Sequence, residues 1–464
     1  MTDAELVRVI PSARQLRLQN MEFYAFVHFT VNTFTDREWG DGTEDPAVFN
    51  PVSLDPDQWV NAIKEAGMTG LILTCKHHDG FCLWPSRYTE HSVKNSPCKK
   101  DVVKETAEAC RRGGIRFGVY LSPWDRNQPL YGSGKPYDDY FVNQLTELLT
   151  NYGEIFCVWF DGACGEGPNG KKQYYDWDRY YQVIRRLQPD ACIHVCGPDI
   201  RWCGNEAGDT RPSEWSVVPR RTADTEKIAS LSQQADDEAF RLRPIRAQDL
   251  DLGSREILRD EKDLIWYPAE VNTSIRPGWF WHEAENDQVK PLDKLVSIYL
   301  NSVGGNATFL LNIPPDRRGL FHENDVQRLR ELGAYLRNSF SCNLMQEASE
   351  ITAPAAEPGC EVTRLLSADN RYYYPVSGAP EITVGWEHPR RIRFVVIREH
   401  LLLSQRVERF EILAERNGQA ECLYRGTTIG HKRIVRLEDC VTQRLIIRIT
   451  DSRERPAIGQ LAVY

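Results

Sequence analysis

No apolar run in the 464-residue chain approaches the roughly 20 residues of a membrane-spanning helix. The first sixteen residues are polar and of mixed charge, without the apolar core of an export signal. Together these absences lead us to expect a chain with no membrane partner and, as given, a cytoplasmic setting. A basic surplus is missing too: the formal net charge is -9 and the pI about 5.7. That argues against a nucleic-acid or anionic-membrane partner, which would want a clustered positive surface. The thirteen cysteines are odd in number and scattered, with no C-x-x-C pair and no Cys/His clusters at zinc spacing. Neither a disulfide framework nor a structural zinc is expected, and most of these thiols read as reduced, buried, small apolar residues. Internal repeats and low-complexity segments are absent as well.

What is present is ordinary globular material, 41% hydrophobic and 10% aromatic, long enough for a sizeable core and more than one domain. Short apolar strands alternate with amphipathic helices over most of the chain, as in a parallel sheet with crossover helices. Strands are predicted at 23–30, 70–75, 117–121, 156–161, 192–196, 264–273 and 308–313. Asp55-Pro56 and Asp101 read as helix starts, and Gly67 and Gly113-Gly114 as stops. Further helices are predicted near 140–152, 178–187, 292–303 and 323–338, with one around 226–241 inside a polar insertion, 220–263. Seven or eight strand-helix units favour an α/β, TIM-like (β/α)-barrel, somewhat irregular, over residues 1–340. After 340 the helices stop. The Pro/Ala/Gly stretch at 353–359 and strand-like runs at 381–386, 392–397, 409–414, 433–437 and 445–449 predict an all-β sandwich domain at 345–464.

The stretch Phe156-Cys157-Val158-Trp159-Phe160-Asp161-Gly162 draws attention first. Alternation puts Trp159 and Asp161 on one face of a strand, so an indole and a carboxylate share one space. In a barrel, residues at the C-terminal strand ends converge. Those collected here are His28 with Glu38-Trp39, Lys76-His77-His78-Asp79-Gly80, Trp124-Asp125, Trp159 and Asp161, then Asp199, Trp202, Glu206, Asp209 and Glu214. Singly, each has a plainer role as a core histidine, a packing indole, a turn aspartate or a solvated loop charge. Jointly they are costly to bury unless a ligand or shared network uses them. Two chemistries fit. The histidines with Asp79 or Asp161 suit a hydrolytic metal centre, although His77-His78 matches neither the H-x-H nor the H-E-x-x-H spacing. A pair of carboxyls among aromatics suits glycoside cleavage, which the aromatic richness and low positive charge favour.

Six elements in order resemble the α-L-fucosidases of glycoside hydrolase family 29. They are Phe26-Val27-His28-Phe29, Glu38-Trp39-Gly40, Lys76-His77-His78-Asp79-Gly80-Phe81, Leu121-Ser122-Pro123-Trp124, Val158-Trp159-Phe160-Asp161-Gly162 and Leu310-Leu311-Asn312-Ile313-Pro314-Pro315. The resemblance implies an exo-acting retaining hydrolase with Asp161 as nucleophile, no cofactor and no metal. It implies fucose contacts from His28, Glu38, Trp39, His77, His78 and Trp159, joined by Trp124. Cys203-Gly204-Asn205-Glu206-Ala207-Gly208 with Glu214-Trp215-Ser216 is similar to the subfamily acting on α-1,3 and α-1,4 linkages. That similarity makes Glu206 the implied acid/base, with Glu214 as the alternative. Fucosylated, Lewis-type branched oligosaccharides are then the implied partners. Trp279-Phe280-Trp281, with Trp281 as the expected contact, either walls the sugar or belongs to the core. The C-terminal domain resembles galactose-binding-like modules.

Overall fold

The computed structural model describes residues 1–464 except 233–237, 367–370 and 417. Its first sheet has eight strands: β1 Phe23–Val27, β2 Gly70–Lys76, β3 Arg116–Leu121, β4 Cys157–Phe160, β5 Cys192–Val195, β6 Arg201–Trp202, β9 Ala269–Ser274 and β10 Thr308–Asn312. Two further short strands, β7 Val217–Pro219 and β8 Leu264–Trp266, pair antiparallel outside it. The order around the sheet is β5-β4-β3-β2-β1-β10-β9-β6, and every pairing in it is parallel. A single bridge between His194 and Ile200 joins the two ends. The expected barrel is therefore present and nearly closed.

Helix boundaries follow the local chemistry. Asp55 caps Pro56–Glu65 by accepting from the Gln58 amide, and Asp101 caps Val102–Gly113 by accepting from Lys104. Further helices span Lys135–Asn151, Trp177–Leu187, Leu292–Ser302 and Glu323–Ser339. Alternation along the strands divides the apolar residues into two layers. Phe23, Ala25, Val27, Val158 and Phe160 pack outward against the helices, whereas Tyr24, Phe26, Tyr120, Cys157 and Trp159 fill the barrel interior. Among the described residues, no helix is long and apolar enough to cross a membrane.

Three expectations for the barrel change. The predicted strand 264–273 is two strands, because Pro268 between them has no amide hydrogen to give; its carbonyl instead accepts from Arg201 N at 3.0 Å. The eighth barrel strand, β6, is only two residues long and follows β5 without a crossover helix. The helix expected around 226–241 appears as Thr225–Ser232 and Glu238–Arg241, and its middle lies outside the described residues.

The C-terminal region carries β11 Glu350–Thr352, β12 Glu381–Glu399, β13 Val407–Arg416, β14 Gln419–Gly426, β15 Arg433–Ser452 and β16 Ile458–Val463. β12 joins two runs predicted as separate strands, and so does β15. The break between the two runs of β12 is a register shift between Gly385 and Arg390, and the antiparallel pairing sets each half of β12 against the opposite half of β15. This antiparallel structure encloses its own apolar core, including Trp386, Phe410 and Ile447. It grips the barrel through Glu22, just before β1, which accepts from Arg398 at 2.6 Å and is paired with Lys432 and His431. Asn306, just before β10, accepts from His431 N at 2.6 Å. Both anchors precede strands, so the β-domain sits at the barrel end opposite the C-terminal strand tips.

Candidate active site

A pocket opens at the C-terminal ends of the barrel strands. Phe26 and His28 of the first strand and its tip, His77 and His78 after β2, Trp159 and Asp161 from β4, and Trp39 line one side of it. Trp202, Glu206, Asn272, Trp279, Ser232 and Phe240 line the rest.

Asp161 is fixed at both oxygens: Ala163 N donates to Oδ1 at 2.8 Å and Tyr120 Oη donates to Oδ2 at 2.9 Å. Burial pushes its pKa above the usual carboxylate value, while the Ala163, Tyr120 and Gly162 donors pull the other way. Tyr120 in turn stacks on Trp159, with centroids 5.4 Å apart. The Trp159 indole donates to Glu270 Oε1 at 2.9 Å. Glu270 Oε2 also accepts from Tyr24 Oη at 2.6 Å and faces His194 Nδ1 at 2.8 Å, which makes a polar floor inside the barrel.

The histidines are held neutral. Burial lowers the pKa of His28 to about 4 and that of His78 to about 3, and it lowers His77 well below its ordinary value. Their tautomers follow from their partners. Asn312 Nδ2 donates to Ser274 Oγ at 2.9 Å and to Trp279 O at 2.8 Å, so its Oδ1 faces His28 Nδ1, 2.8 Å away, as an acceptor. Ser122 Oγ donates to Trp124 O at 2.7 Å and so accepts from His78 Nδ1, also at 2.7 Å. In both rings Nε2 is left as an acceptor for a hydroxyl. His77 Nδ1 is buried without a protein partner. The turn carrying His77 and His78 closes at Gly80, whose φ of 78° suits glycine, and Asp79 steadies it by accepting from Phe81 N at 2.7 Å.

Glu206 reaches the pocket from the loop after β6 and accepts from the Trp279 indole at 2.8 Å. Glu214, the alternative acid, does not reach it. Glu214 is buried between Arg201 and Arg211, the latter at 3.1 Å, and both cations hold its carboxyl below the ordinary range. Its carbonyl is anchored by Asn306 Nδ2 at 2.9 Å, beside the β-domain. A carboxylate so paired cannot serve as a proton donor near neutral pH, which corrects that alternative.

Glu38 lies behind the pocket, where its oxygens accept from Trp279 N at 2.8 Å and Phe280 N at 3.1 Å and face His282 Nε2 at 2.7 Å. It therefore fixes the loop that presents Trp279. Trp124 supports the wall from outside: its ring lies 4.9 Å from that of His78, and its indole donates to Glu166 O at 2.9 Å. Trp281 does not reach the pocket; its indole donates to Asn286 Oδ1 at 3.1 Å. Of the Trp279-Phe280-Trp281 run, Trp279 is the one that lines the cavity.

With this geometry in view, the relatives are informative. The alpha-L-fucosidase family model matches residues 14–339. The chain belongs to the alpha-L-fucosidase family. It is 40% identical to alpha-L-fucosidase 1 of Arabidopsis thaliana, over 98% of this chain and 87% of that one. The crystal structure of a putative alpha-L-fucosidase from Bacteroides ovatus superimposes with a TM-score of 0.85 at 44% identity, over 100% of this chain and 75% of that one. A family 29 fucosidase of Ruminococcus gnavus, solved in complex with fucose, gives a TM-score of 0.84 at 28% identity, over 98% of this chain and 95% of that one. The protein is thus a glycoside hydrolase with α-L-fucosidase activity.

In this fucosidase, sequence reading missed Tyr120, Asn272 and Glu270, and in the Trp279-Phe280-Trp281 run it chose Trp281 over Trp279. For the three missed residues a signal exists. Tyr120 shares the inward face of β3 with Gly118, and Glu270, Asn272 and Ser274 are polar at every second position of a buried strand, which in a barrel marks the lumen. Trp279 carries no such periodicity because it lies in a loop. Among the described residues, His77, His78 and Asp161 form the one group able to hold a metal ion, with ligand atoms all within 4.8 Å of one another.

Proposed function

We propose that this fucosidase removes terminal α-1,3- or α-1,4-linked fucose from branched, Lewis-type oligosaccharides by double displacement with net retention. The catalytic unit is residues 1–340, with 345–464 as an accessory β-domain at the opposite end of the barrel. The observation that carries the reading is the doubly anchored Asp161, set in an aromatic pocket together with Glu206.

In the first step an Asp161 oxygen attacks the anomeric carbon. The glycosidic bond pair passes to the departing oxygen, and Glu206 gives that oxygen a proton. In the second step Glu206 takes a proton from water, whose oxygen displaces Asp161 and releases fucose. The Tyr120 and Ala163 donors favour the ionised carboxylate and so assist its departure. Nε2 of His28 and His78 accepts hydrogen bonds from sugar hydroxyls, and these bonds strengthen as oxocarbenium charge develops. Phe26, Trp159 and Trp279 supply apolar walls for the ring and its methyl group.

The test measures fucose release from a branched Lewis trisaccharide and from a simple aryl fucoside, with and without a chelator, and follows the first-formed anomer by NMR. The α anomer, released from the trisaccharide regardless of chelation, supports the reading. The β anomer would overturn retention. Loss of activity on chelation would instead assign His77, His78 and Asp161 to a metal.

A further inference from the structure

The proposed function leaves the sugar on the leaving-group side unaccounted for. That sugar must lie against Glu206, because the acid has to reach the glycosidic oxygen. Beside Glu206 the structure has a layered group drawn from two distant parts of the chain. Trp202, at the end of β6, is locked by indole donation to Asn205 O at 3.1 Å and Asn272 Oδ1 at 3.0 Å. The Arg243 guanidinium lies over the Trp202 ring at 5.5 Å and over the Phe240 ring at 4.5 Å. Trp202 and Phe240 line the pocket together with Glu206.

Arg243 is half-buried, and its backbone contacts are long: 3.3 Å to Leu231 O and 3.5 Å to Gly204 O. The guanidinium has five N–H donors, of which these contacts among the described residues engage one nitrogen. Burial and the nearby Arg246 charge lower its pKa from the ordinary guanidinium value, and the Glu206 charge opposes that lowering. Its insertion is seated on the catalytic half: Ser232 packs against Gly162, where an added β-carbon would overlap the Ser232 hydroxyl.

We infer that Trp202, Phe240 and Arg243 form a subsite for the leaving group, which takes a neutral pyranose with ring carbons against the aromatic edges and hydroxyl oxygens on the guanidinium. The inference rests on the function proposed above. It makes Arg243, in the 220–263 insertion, a determinant of which fucosides are cleaved. Fucose itself is held by the other wall. An aromatic and guanidinium pair of this kind contributes orientation as well as contact, since it sets the glycosidic oxygen against Glu206.

The experiment compares Arg243→Ala and Phe240→Ala with wild type on two substrates, a branched Lewis trisaccharide and α-L-fucosyl fluoride. The fluoride has the fucose but no leaving-group sugar. We expect kcat/KM on the trisaccharide to fall at least about tenfold more than on the fluoride, with most of the loss in KM for Arg243→Ala. Equal losses on both substrates, or no loss on either, would overturn the subsite while leaving the fucosidase reading intact. Wild-type failure on the fluoride would overturn the reading beneath it. Cleavage of the fluoride but not of the trisaccharide would overturn both the linkage assignment and the subsite built on it.

Discussion

The two walls of the pocket are built differently. The wall carrying Asp161 comes from adjacent strand ends, β1 through β4, and its polar groups are tied to one another over short spans: Tyr120 to Asp161, His78 to Ser122. The wall carrying Glu206 rests on Trp202 and Asn272 of β6 and β9 but is completed from outside the sheet, with Trp279 supplied by the segment after β9 and Phe240 and Arg243 by an insertion. Strand ends hold their side chains in register with a hydrogen-bonded sheet, whereas loops can be exchanged without disturbing it. The contrast suggests a division of labour, with the rigid wall recognising the fucose and the loop wall the sugar it leaves.

The most drastic way to break this comparison is on the rigid side. Asp161→Ala is expected to lower kcat/KM by about 10⁴-fold or more on any fucoside, with an unchanged circular dichroism spectrum. Near-wild-type turnover would remove Asp161 from the mechanism. On the loop side, Glu206→Gln is expected to lose about 10³-fold on the trisaccharide and far less on fucosyl fluoride, whose leaving group needs no proton. On the fluoride, added azide should take the place of water in the second step, speed turnover and give a fucosyl azide of retained configuration; equal losses on both substrates would argue against an acid/base role.

Glu214→Gln should behave in the opposite manner to Glu206→Gln. It leaves Arg201 and Arg211 buried beside a neutral amide, so a stability loss of about 3 kcal/mol is expected in urea unfolding, with little change in kcat for the folded enzyme.

Acidity probes the rigid wall further. Because burial raises the Asp161 pKa, the acid limb of kcat/KM should lie above the ordinary aspartate value of about 3.9, a shift measurable from the pH profile. The lowered His28 and His78 values act on stability. Below about 6.5 the unfolded chain takes up protons that the folded chain refuses until about pH 4 and about pH 3. Unfolding free energy should therefore fall as pH drops through that window, and a flat profile there would contradict the neutral assignment. The smallest effect is expected at the seam between the walls. Gly162→Ala pushes on Ser232 and should cost about tenfold in kcat/KM on the trisaccharide by displacing the insertion.

The same division decides what could be read from the sequence. Helix starts such as Asp55 and Asp101, and the strand bearing Trp159 and Asp161, were legible because capping and alternation are local rules. β6 was not, since two residues, Arg201 and Trp202, carry no periodicity. Glu206 and Glu214 look alike in a polar loop. They differ because Arg201 and Arg211 enclose one and the Trp279 indole meets the other, and no local pattern announces such contacts. Trp279 and Trp281, two residues apart in an irregular loop, could not be told apart by spacing.

The most direct measurement is covalent trapping. Incubation with a 2-deoxy-2-fluoro-fucosyl fluoride slows release of the intermediate, and peptide mass mapping then finds the labelled residue. The account expects one deoxyfluorofucosyl group on the peptide containing Asp161. A label on another carboxylate, or inhibition without any covalent adduct, would contradict it.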